Sequence, residues 1–252
     1  MVKVLSTDFR KMISSYHVYL CMMGLGLMYF VMYLGSLNSN TYMFGIVASY
    51  ENVAEGTEIM LLAFLLSIVG GSFLYCEEEK HGYLKFVIQR IGVKRFTAGK
   101  LFTSLIGGFG IVMAGNIIYL VGIIVHRWIV FGTVSFEGED MAYMFWEWMF
   151  SALRCGVLSE IGFLVSTYVA NYYIAMTTPL LMYYAILSLE TWIPVFFPMI
   201  PSKFFFTDVY LAGYIKGNDS IEFVFALFYT ACISLIMYSM VKKRIERRME
   251  HA

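Results

Sequence analysis

Six long apolar runs constrain this chain more than any other feature: 16–36, 59–75, 101–125, 148–169, 172–189 and 221–240. About 20 apolar residues carry a helix across the hydrocarbon of a bilayer. Lipid offers no hydrogen bonds, so a spanning backbone must satisfy itself as a helix or a closed barrel. These runs lack the strict alternation of barrel strands. They predict an all-α integral membrane protein with six transmembrane helices. The chain is 60% hydrophobic and 14% charged, whereas soluble domains average about 45–50% and 25%. The first run is too long for a signal-peptide core, and no small-residue cleavage site follows it, so a retained span is expected. The expected organisation is one membrane domain over 1–252, with no soluble domain.

The charges are segregated. Fourteen of the 18 Lys and Arg residues fall in three stretches: Lys3, Arg10 and Lys11; Lys80, Lys85, Arg90, Lys94, Arg95 and Lys100; and Lys242, Lys243, Arg244, Arg247 and Arg248. In a six-span chain all three lie on one side. The opposite side holds only Arg127, Lys203 and Lys216, among Glu51, Glu55, Glu137, Glu139, Asp140, Asp208 and Asp219. Excess Lys and Arg in short loops marks the cytoplasmic face. Both termini are therefore expected in the cytoplasm. The cysteines (Cys21, Cys76, Cys155, Cys232) avoid the outer segments, so no disulfide is expected. The histidines have no metal-ligand spacing.

The segment between the second and third runs carries the most information. Leu84, Val87, Ile88 and Ile91 recur at i, i+3, i+4 and i+7, which places them on one helical face. Gly92 suits the end of such a helix. A short amphipathic helix over 83–91 then lies at the inner membrane surface between two spans. It either anchors the loop in the interface or receives force from a cytoplasmic partner. Residues 2–15 suit a second amphipathic helix along the same surface, or a plain basic flank. Residues 190–220 place Pro194, Pro198 and Pro201 among aromatic and aliphatic residues. That stretch is too apolar for a solvated loop and too proline-broken for a span, so an external re-entrant hairpin is expected.

This layout resembles the permeases of type-2 ABC exporters. The match runs from Glu78 to Gly82, through the apolar run 84–88 and the basic pair Lys94-Arg95, to Gly99-Lys100. Two positions depart from the family pattern: Tyr83 stands where Thr is frequent, and Val93 where Pro or Ser is. The resemblance implies an N-terminal elbow helix, a coupling helix and external re-entrant helices. Coupling to an ATPase would fall on Glu78, Gly82, Tyr83, Leu84, Val87, Ile88, Ile91 and Arg95. It implies two permease chains, as a homodimer, working in a bacterial plasma membrane with two ABC ATPase subunits that hold ATP and Mg. No G-x-x-x-x-G-K-[ST] phosphate loop occurs here, so ATP hydrolysis is expected on that separate chain. The small size resembles exporters of phenol-soluble modulins and other antimicrobial or cytolytic peptides.

Two charges lie inside the fourth run, Arg154 and Glu160, and an intramembrane charge is a functional candidate. Six residues apart, they sit about 120° apart around the helix. Each has a structural alternative: snorkelling toward the interface for Arg154, and a hydrogen bond to a neighbouring helix for Glu160. Pro179 in the fifth run is a kink candidate. Together with Pro198 and Pro201, these residues form the expected translocation or gating set. Gly107, Gly108, Gly110 and Gly115 predict close helix contacts, within one chain or across a dimer. An ion-coupled carrier or channel using Glu160 is the alternative function. An enzyme is disfavoured, because no nucleophile, base or metal set converges. The expected partners are lipid, a peptide substrate, the ATPase and a second permease chain, with no nucleic acid.

Overall fold

The computed structural model describes residues 2–36, 57–132, 141–169, 171–196 and 219–250. Within them the chain forms eight helices: α1 Val2–Ser14, α2 Tyr16–Ser36, α3 Thr57–Lys80, α4 Tyr83–Ile91, α5 Val93–Phe131, α6 Met141–Tyr168, α7 Tyr172–Phe196 and α8 Asp219–Glu250. Five of them, α2, α5, α6, α7 and α8, are long and apolar enough to cross a membrane. The chain is therefore a multi-pass, membrane-embedded protein. The remaining long helix, α3, covers 24 residues and packs against α2, α5, α6 and α7.

Several helices outrun their apolar segments. With 39 residues, α5 is about 58 Å long, nearly twice the hydrocarbon thickness. It carries Lys94, Arg95 and Lys100 in its own first turns. The 32-residue α8 continues without a break into the basic C-terminal stretch. The fifth apolar helix runs on to Phe196 through Pro194. Residues 190–196, expected in the outer hairpin, thus prolong that helix, and the rest of the hairpin, 197–218, lies outside the described residues.

The centre of the bundle is α6, with 83% of its most apolar window buried, against 17% for α7 and for α8. Small residues bring its neighbours close. A Cβ on Gly108 of α5 would sit 2.7 Å from the Cβ of Ser159 and 2.8 Å from the Cys155 carbonyl oxygen. One on Gly156 would sit 2.9 Å from the Leu105 carbonyl oxygen. At the same seam the Ser104 hydroxyl donates to the Ser159 carbonyl at 2.8 Å. About two turns further along α5, Gly115 receives Leu25 of α2. Gly108 and Gly115 thus make their close contacts within the chain, whereas Gly110 has nothing within 4 Å. Pro179 sits inside α7 and cannot donate to the Ala175 carbonyl. That freed oxygen lies 3.4 Å from where a Cβ on Gly162 would stand.

Close approach at Gly108 predicts a sharp contrast. Gly108→Val should lower stability by about 1–3 kcal/mol through overpacking. Gly110→Ala, with nothing within 4 Å, should leave it unchanged or raise it by up to about 1 kcal/mol. Thermal unfolding in a mild detergent measures both, and equal shifts would refute the packing assignment.

Candidate functional site

The three basic stretches meet at one end of the bundle. The second and third stretches share an apolar cluster of Tyr75 (α3), Leu84 and Ile88 (α4), Phe96 and Leu101 (α5), Phe163 and Leu164 (α6), and Val241 and Ile245 (α8), and α1 joins through the ion pairs of Asp8 and Lys11. Leu84 and Ile88 point inward to this cluster, and Val87 and Ile91 pack at its margin. The opposite face of α4 looks outward: Phe86 is 71% exposed and Tyr83 62%, with Lys85, Gln89 and Arg90 also exposed. Lys94 and Arg95 extend that surface onto α5.

Glycine bounds α4 on both sides. Gly82 has φ 72° and Gly92 has φ 82°, a backbone region that side chains with a Cβ rarely occupy. The Gly92 amide closes the helix on the Ile88 carbonyl at 2.8 Å.

Buried ion pairs tie the same end together. Lys100 Nζ donates to Asp8 Oδ1 at 3.0 Å and lies 2.8 Å from Glu78 Oε2. Lys11 Nζ donates to Glu78 Oε1 at 3.0 Å. The Lys100 side chain is 6% exposed, that of Asp8 8% and that of Glu78 12%. Burial alone would push the Glu78 carboxyl up, but Lys100 and then Lys11 outweigh it and hold the group below its ordinary range. Burial likewise works against the charge on Lys11, and the hydrogen bond and charge of Glu78 raise it above its ordinary value. A second link joins α3 to α8: Arg248 Nη1 donates to Glu79 Oε1 at 2.6 Å. Between α4 and the end of α8 lies a cleft of about 310 Å³, lined by Glu79, Leu84, Lys85, Ile88, Ile245 and Arg248 among others.

The intramembrane pair separates. Glu160, 1% exposed, accepts a hydrogen bond from Ser234 Oγ of α8 at 2.7 Å, the neighbouring-helix contact weighed above. Arg154, 3% exposed, does not snorkel; its guanidinium stacks over the Phe64 ring of α3 with Cζ 5.1 Å from the centroid. Of the gating prolines, Pro179 is buried in α7, and Pro198 and Pro201 lie outside the described residues.

Sequence reading missed several participants. Asp8, Lys100 and Glu79 pair across 92 and 169 residues, which no local pattern reveals, although Asp8 stands out as an acid in a basic flank. Buried Glu147 and Asn116 were overlooked because α6 starts earlier than its apolar run and a lone Asn hardly alters one. No protein-family model, curated protein or solved structure matches this chain.

The network predicts an acid-sensitive fold. A carboxyl whose folded pKa is depressed stabilises fully above its unfolded value and loses that contribution as pH falls through the folded pKa. For Glu78 the loss begins below about pH 4.5. Wild-type melting temperature should fall there, and Glu78→Gln should fall less steeply. Lys100→Met, which strands Asp8 and leaves Glu78 with Lys11 alone, should cost about 3 kcal/mol at neutral pH, and adding Asp8→Asn and Glu78→Gln should restore most of it. Scanning fluorimetry across pH 3.5–8 tests both expectations; parallel pH slopes for wild type and Glu78→Gln would contradict them.

Proposed function

We propose that this chain is the membrane-spanning permease subunit of an ATP-driven ABC exporter, moving amphipathic peptides of the antimicrobial or cytolytic kind out of a bacterial cell. In this reading α3 is the sixth crossing. Its end meets the start of α2 and α5 at the charged end of the bundle, so α2 and α3 run in opposite senses. The charged end then faces the cytoplasm, by its excess of Lys and Arg. Helix α1 serves as the elbow, pinned to α5 by the Asp8–Lys100 pair.

One observation carries the proposal: α4 has two different faces. Its inner face locks into the junction of α3, α5, α6 and α8, so force applied to it reaches four long helices at once. Its outer face exposes Tyr83 and Phe86 within a basic surround of Lys85, Arg90, Lys94 and Arg95. Such a face suits a partner that offers an apolar cleft with an acidic rim. Aromatic residues ringed by polar ones are the usual anchors of interfaces. The partner is an ABC ATPase, present as two copies on a homodimer of this chain, with ATP and Mg held by the ATPase. Leu84 and Ile88, expected among the coupling residues, transmit force in this arrangement and do not contact the partner.

The alternative, an ion-coupled carrier, would use Glu160, the buried carboxyl bonded to Ser234. The two readings separate on purification in mild detergent. A stoichiometric phosphate-loop ATPase should accompany the wild-type chain. Tyr83→Asp with Phe86→Glu should weaken that capture at least tenfold at unchanged melting temperature, because both positions are exposed. Undiminished capture would remove the docking role from α4. Proton-coupled uptake by the chain alone, with no ATPase bound, would favour the Glu160 carrier.

A further inference from the structure

Arg154 lies midway along α6 and is almost completely enclosed. A guanidinium does not lose its proton in proteins, so the positive charge stays in the apolar core. No carboxylate among the described residues forms an ion pair with it. The acids on its own helix, Glu147 and Glu160, are about 10 Å and 9 Å away along the axis at 1.5 Å per residue. Glu160 also turns away to Ser234. What holds Arg154 is the face of Phe64. Cation–π contact orients a guanidinium and lowers its cost of burial, and it leaves the charge and the N–H donors unneutralised. Nε and Nη1 have no hydrogen-bond partner among the described residues.

A second buried donor lies in the same core. Asn116 of α5 is fully buried, and neither amide atom has a hydrogen-bond partner among the described residues. Ser104 faces Ser159, and Gly108 faces Cys155. This antiparallel register carries Asn116 to the level of Glu147, about two turns from Arg154. Buried polar groups left unpaired are costly, and an unpaired cation at this depth costs more. A rigid, enclosed cation with unused donors on an aromatic platform is what recognition of an anion requires.

We propose that Arg154 anchors an anion-binding site inside the bundle, which takes the carboxylate or phosphate head of an amphiphile. The apolar surroundings select a ligand with a hydrocarbon or apolar body, and the guanidinium selects its negative head. The site does not depend on what drives transport.

The test uses the full-length chain in phosphatidylcholine nanodiscs. Laurate, dodecyl phosphate and dodecyltrimethylammonium serve as probes of equal chain length, with binding read by equilibrium dialysis of labelled probe. Saturable binding of an anionic probe is expected, at least tenfold weaker in Arg154→Gln and partly retained in Arg154→Lys. Tighter binding of dodecyl phosphate would assign the site to a lipid-type phosphate. Tighter binding of laurate would assign it to a carboxylate, such as a peptide terminus. A melting-temperature measurement on the wild type keeps the test decisive if Arg154→Gln does not fold: the anionic probe should raise the temperature and the cationic probe should not. Equal binding by wild type and Arg154→Gln, equal shifts by both probe charges, or no saturable binding would each overturn the site.

Discussion

The rest of the bundle depends on close backbone approach around α6. Hydrocarbon solvates a leucine as well as another helix does, so a membrane bundle gains little from apolar burial and relies on van der Waals fit. At Gly108 and Gly156 a single added methyl group would collide with carbonyl oxygens or side chains of the facing helix. The Ser104–Ser159 contact adds a hydrogen bond at the point where the helices come nearest. With α6 fixed at the centre, α3, α5, α7 and α8 each find one partner in common. The outer faces of α7 and α8 are left to lipid, which is why only 17% of their most apolar windows is buried against 83% for α6.

The charged end obeys different rules. There, water and lipid headgroups are within reach, and ion pairs substitute for tight packing. Lys100 joins α5 to α1 and α3 at once, because one ammonium meets Asp8 and Glu78 together. A pair with one member removed leaves a buried charge, so this junction acts as a unit. The short α4 hangs from it between two glycines. It is held by apolar contacts on one face, shared with the ends of α3, α5, α6 and α8.

Long-range pairing is where the sequence falls silent. The apolar runs were legible, since each maps onto a helix, and α4 appeared at 83–91 with Gly92 at its end. Helix ends were not legible: Lys94, Arg95 and the basic tail continue α5 and α8 because good helix formers keep propagating beyond the hydrocarbon. Residues 190–196 read as the start of an external re-entrant hairpin, yet Pro194 falls inside α7. Arg154 and Glu160 were visible as charges in an apolar run. Their separate fates, a ring on α3 and a hydroxyl on α8, depend on neighbours 90 and 74 residues away. Face by face, α4 was half read. Periodicity located its apolar stripe, and only packing revealed that the stripe is the inner side, leaving Phe86 outside.

The two intramembrane ions of α6 answer the same problem in opposite ways. A carboxyl group deep in a membrane can take up a proton and become neutral, and Glu160 has in addition a hydroxyl donor that stabilises it where it stands. A guanidinium has no such route. Arg154 keeps its charge in every state of the bundle, so its cost must be met by electron density brought to it. Phe64 supplies part of that through its ring face. Because Glu160 lies about 120° around the helix, it cannot supply the remainder without α6 unwinding.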